Sequence, residues 1–137
     1  MNKSKVLLLL FCVFLGLVIY TEDVGAGSRY WGWVNNVPMG DKFCHCTFMF
    51  TFSVLTNLTL KCRPIHLGGQ TVLLGTVIVA IVVAAEEFSQ LWIPGRDFDL
   101  LDLTADLVGI ACGSLLARRL QGKDRLSHEP QVRPISS

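Results

Sequence analysis

Four long stretches of this chain, residues 6–20, 43–60, 67–91 and 100–120, are dominated by apolar side chains, and most of the ionisable groups stand at their ends. That pattern leaves few ways to fold. A run such as VLLLLFCVFLGLVIY or TVLLGTVIVAIVVAA has neither the alternation of a half-buried strand nor the polar face of a surface helix. With 51% hydrophobic residues and a mean hydropathy of +0.48, the chain has too little polar surface for an ordinary soluble domain. The expected architecture is all-α: an integral membrane bundle of four transmembrane helices, forming one domain over residues 1–120, followed by a polar, disordered tail over 121–137.

The first run is the shortest. It follows Lys3 and Lys5 and precedes Gly25, Ala26 and Gly27, so it reads either as the core of a signal peptide or as a retained helix. The retained helix fits the later alternation of spans. Tyr30, Trp31 and Trp33 in the next connector resemble an aromatic belt at headgroup level. Lys and Arg gather before the first run, after the second (Lys61, Arg63) and at and beyond the end of the fourth (Arg118, Arg119, Lys123, Arg125). Cationic residues stay on the cytoplasmic side, so both termini are expected in the cytoplasm, and Asp41, His45, Glu87, Arg96 and Asp102 meet on the outer side.

Net charge is +1, with no basic stripe, which argues against nucleic acid as a partner. Five cysteines, of which Cys12 and Cys112 fall well inside apolar runs while Cys44 and Cys46 sit too close to bridge each other, make no disulfide framework. Cys44, His45 and Cys46 are no zinc site, because consecutive helical residues point about 100° apart.

The segment EEFSQLWIPGRDFDLLDLTADLVGIACG carries the chemistry. A charge at mid-bilayer costs roughly 2.5–3.5 kcal/mol, so such groups are expected to face one another, water or a ligand. Asp99, Asp102 and Asp106 step by three and four and form one acidic stripe. Glu87 and Gln90 share a helix face, while Glu86 points about 100° away, toward the surface. Pro94 and Gly95 make a turn from which Arg96 emerges to pair with Glu87 or Asp102. Asp41 and His45 stand one turn apart, so the carboxylate is expected to orient the imidazole. Gly109 and Gly113 form a G-x-x-x-G pair that lets a neighbouring helix approach closely.

The combination of D-K-x-x-H (Asp41, Lys42, His45), E-x-x-Q (Glu87, Gln90), P-G-R (Pro94, Gly95, Arg96) and Asp102, with Gly109 three residues beyond Asp106, resembles the VanZ-like family over 6–120. The resemblance implies a small multi-helix protein of the bacterial inner membrane. It also implies Asp41, His45, Glu87, Gln90, Arg96 and Asp102 as the polar site, and a link to teicoplanin sensitivity through the founding member. Asp106 departs from the family pattern: it stands where an Asn is usual and adds a negative charge at the deepest position.

Three functions are expected from this site. The first is binding of an envelope amphiphile or lipid-linked precursor through Asp41, His45, Glu87, Gln90, Arg96, Asp102 and Asp106, with no cofactor. The second is catalysis on a lipid-linked phosphate or carboxylate, with His45 as general base, Asp41 orienting it and Glu87 or Asp102 as acid. No nucleophile motif accompanies it, but a metal shared by His45, Glu87 and Asp102 would be a variant. The third is proton-coupled transport along the acidic stripe, which four helices would support only as a homodimer.

Overall fold

The computed structural model describes residues 3–94 and 98–127. Helix α1 (Lys3–Asp23) leads through a short α2 (Gly27–Trp31) and a 3-10 turn (Val34–Asn36) into α3 (Gly40–Thr59). Strands β1 (Pro64–Leu67) and β2 (Gln70–Leu73) form a hairpin, followed by α4 (Leu74–Ser89), a 3-10 turn (Gln90–Trp92) and α5 (Leu100–Ser127).

Helix α3 is the centre of the bundle. Its Lys42 meets Asp99 and Asp102 near the start of α5, and its Ser53 hydroxyl donates to the Ile110 carbonyl further along, so α3 and α5 run parallel. Helix α4 runs the other way: Asn57 near the end of α3 donates to Thr76 near the start of α4. Helix α1 also runs antiparallel to α3, laying Phe14 on Phe48 and Phe11 on Phe52 at centroid distances of 5.8 and 6.1 Å. The starts of α3 and α5 therefore share one end of the bundle with the finish of α1 and α4.

In lipid, apolar burial does little to drive helices together, so close approach and interhelical hydrogen bonds must do so. Both are present between α3 and α5. A Cβ at Gly109 would strike the Cys46 carbonyl oxygen, and one at Gly113 would lie 2.5 Å from that of Phe50. The G-x-x-x-G pair is thus the groove into which the α3 backbone fits. Met49, Phe52, Val79, Val83 and Ile110 fill the core beside it.

Three helices, spanning Lys3–Asp23, Leu74–Trp92 and Leu100–Lys123, are long and apolar enough to cross a membrane. Their outer surfaces expose Leu7, Leu10, Leu17, Ile81, Leu107 and Leu115, as a lipid-facing surface would. Exposed hydroxyls on the helices are satisfied within their own helix, Thr47 on the Phe43 carbonyl, Thr51 on Thr47 and Thr104 on Leu100, which removes the need for water there. Helix α3 is not among the three; it carries Asp41, Lys42, His45 and the buried Ser53, Thr56 and Asn57.

Two sequence expectations need correction. A helix over 67–91 is not formed, because residues 67–73 belong to the hairpin, in the register Pro64↔Leu73 and Leu67↔Gln70. Gly68 and Gly69 stand between them with φ of +54° and +80°, the doubly positive φ of a type I′ turn, and β-branched Ile65, Thr71 and Val72 suit the strands. Likewise α5 runs through Ser127, so residues 121–127 are helical rather than part of a tail; they contain good helix formers and no proline. Residues 128–137 lie outside the described residues.

Helix α3 stops in a Schellman motif: Cys62 N–H donates to the Asn57 carbonyl and Lys61 N–H to that of Leu58. Lys61, at φ 54°, occupies the left-handed position usually taken by glycine. This end of the bundle carries Lys61, Arg63 and Arg118, and Arg118 donates to the Thr71 carbonyl of the hairpin at 3.0 Å.

Candidate functional site

At the opposite end, the first turns of α3 and α5 face each other, and this sets charged side chains from positions far apart in sequence at one level. The Lys42 ammonium lies 2.9 Å from Asp41 Oδ2, 2.6 Å from Asp99 Oδ2 and 2.7 Å from Asp102 Oδ1. An ammonium has three N–H donors, and three carboxylates surround it. Asp99 also caps α5, accepting from the Leu101 N–H at 2.8 Å through its other oxygen. The hydrogen bond from Lys42 holds the Asp99 carboxyl below its ordinary pKa of 3.8.

One turn deeper, His45 Nδ1 lies 3.1 Å from Asp106 Oδ1. Asp106 is 1% exposed and so is Glu87, which approaches from α4. Neither oxygen of Glu87 has a hydrogen-bond partner among the described residues. A ligand atom from each of His45, Glu87 and Asp106 lies within 4.8 Å of the others, which makes this trio the group able to hold a metal ion among the described residues.

Beside the trio, α1, α3 and α4 enclose a cavity of about 330 Å³. Its wall has two chemistries. Leu15, Val18, Ile19, Phe48, Met49, Phe52, Val82 and Val83 supply the apolar part, and Glu22, Asp41, His45, Glu86 and Asp106 supply the polar part.

No protein-family model, curated protein or solved structure matches this chain.

The site rests on its own geometry. Asp41, His45, Glu87, Asp102 and Asp106 do gather at one end of the bundle, in two layers: Lys42 holds Asp41, Asp99 and Asp102 in the outer one, and His45 holds Asp106 in the inner one. Arg96 lies outside the described residues. Three expectations change. Asp41 turns to Lys42, and Asp106, which α5 brings to the depth of the imidazole, takes its place as the partner of His45. Asp102 pairs with Lys42 and is replaced by Asp106 in the potential metal trio. Gln90 is buried but donates both its bonds, at 3.1 Å, to the oxygens of Glu86, which is partly exposed and also lines the cavity.

Lys42 is the residue to which sequence reasoning assigned no role beyond its place in the D-K-x-x-H pattern. Its position three residues before His45 was the available signal, because that spacing places both on one face of α3.

Proposed function

We propose that this is a four-span protein of the bacterial inner membrane whose cavity binds an amphiphile of the cell envelope. In this reading α3 crosses the bilayer as the inner helix, shielded by its neighbours. The basic end with Lys61, Arg63 and Arg118 faces the cytoplasm, and the acidic end opens outward. The resemblance to the VanZ-like family supports the envelope assignment, and with it a role in glycopeptide sensitivity.

One observation carries the binding reading: the division of the cavity wall into an apolar part between α1, α3 and α4 and a polar part around His45 and Asp106. Pockets of this kind take ligands with matching halves, an acyl or prenyl chain and a headgroup. The polar part holds four carboxylates, Glu22, Asp41, Glu86 and Asp106, beside a single imidazole. It therefore favours a headgroup that donates hydrogen bonds, an amine or hydroxyl, over a bare phosphate.

Thermal unfolding in mild detergent tests this. A long-chain alkylamine should raise Tm in proportion to the logarithm of its concentration, a matched alkyl phosphate should not, and Asp106→Asn should weaken the amine effect. Equal shifts from both amphiphiles, or none, would defeat the reading.

A second reading is favoured by the His45–Asp106 pair, which has the form of a general base with an orienting carboxylate. Incubation with envelope lipids and mass spectrometry would then reveal a product that His45→Ala fails to make. Proton transport gains no such support, because inward of Asp106 the helices pack through Met49, Phe52, Val79, Val83 and Ile110.

A further inference from the structure

We propose that His45, Glu87 and Asp106 are the three protein ligands of a divalent transition-metal site in the wall of the cavity. Glu87 poses the problem that the metal solves. This residue is 1% exposed, and neither carboxylate oxygen has a hydrogen-bond partner among the described residues. Leaving a carboxylate in that condition, next to a second carboxylate that is equally buried, is strongly unfavourable, and a divalent cation between them offsets the desolvation and screens the repulsion.

The geometry fits. Donors bound to one zinc ion at about 2.0–2.1 Å sit roughly 3.3 Å apart in a tetrahedron. His45 Nδ1 and Asp106 Oδ1 are already 3.1 Å apart, and the three donors lie within 4.8 Å of one another, so small side-chain rotations close the set. One imidazole and two carboxylates suit Zn²⁺ or Mn²⁺ and make a neutral assembly with either. The ligands come from three helices, α3, α4 and α5, so binding would also tie the bundle together. Because His45 and Asp106 line the cavity, remaining coordination positions would open toward whatever occupies it. The inference stands on the trio alone and does not depend on that occupant.

The full chain, purified in detergent and stripped with a chelator, would be titrated with Co²⁺ as an optical probe and with Zn²⁺ for elemental analysis after desalting. Wild type should develop visible cobalt absorption that Zn²⁺ displaces, and should retain about one zinc per chain. Glu87→Gln, which keeps shape and removes charge, should weaken binding at least tenfold, while Asp99→Asn in the neighbouring lysine cluster should leave it unchanged. Where Glu87→Gln does not fold, Asp106→Asn takes its place. No cobalt absorption and no retained zinc in wild type would overturn the proposal, as would binding that neither ligand variant weakens.

Discussion

His45 on α3 and Asp106 on α5, 61 residues apart in sequence, meet at 3.1 Å, and this one contact fixes the depth of the polar site. It joins two parallel helices where Gly109 admits the α3 backbone, so the approach that makes the bundle compact also makes the pair possible. A double-mutant cycle with His45→Ala and Asp106→Asn should show a coupling of about 1.5–3 kcal/mol in reversible unfolding, in the range of hydrogen bonds to charged groups. Additive effects would mean that the two side chains do not interact.

The glycine groove makes a sharper prediction about packing. Gly113→Ala places a methyl group against the Phe50 carbonyl and the Ser53 side chain, neither of which can retreat without moving α3. It should cost about 1–3 kcal/mol. Gly122→Ala lies on the same helix with nothing within 4 Å of the added carbon, and should be neutral or slightly stabilising. Thermal unfolding of the two variants side by side would separate crowding from helix propensity.

Lys42 is the cation for three carboxylates, of which Asp41 and Asp99 are nearly half exposed. Lys42→Met should lower Tm by several degrees by leaving those carboxylates facing one another. Solvent reaches the cluster, so added salt should recover part of the loss. A loss insensitive to salt would assign Lys42 a packing role instead.

Acid should weaken the same cluster. Asp99 has its pKa lowered in the folded protein from 3.8 by the Lys42 hydrogen bond. The unfolded chain therefore takes up the proton first as pH falls, so the stability this group contributes is present above about pH 4 and is lost below it. The Tm of the wild type should fall through that window, and Asp99→Asn should make the fall shallower. An unchanged slope would show that Asp99 is not held by Lys42 in solution.

Much of the architecture was legible because hydrophobicity and glycine spacing are local signals. The long helices and a close helix approach at Gly109 and Gly113 follow from them, and the gathering of Asp41, His45, Glu87 and Asp102 at one end follows from the placement of Lys and Arg in the connectors. Partner choice was not legible. On one helix Asp41 and His45 share a face, but the imidazole took Asp106, because interhelical register decides which group arrives at its depth. Gln70–Leu73 was misread for a similar reason: Leu and Val fit a helix or a strand, and pairing with Pro64–Leu67 across the Gly68–Gly69 turn settled the matter.

The central claim, an amphiphile cavity with a polar head end, is tested most directly by native mass spectrometry of the chain released from mild detergent. Wild type should carry one bound amphiphile of defined mass, and Val83→Trp, which fills the apolar part of the cavity, should lose it while remaining folded. Wild type that carries no amphiphile, or a folded Val83→Trp that carries the same one, would contradict the account.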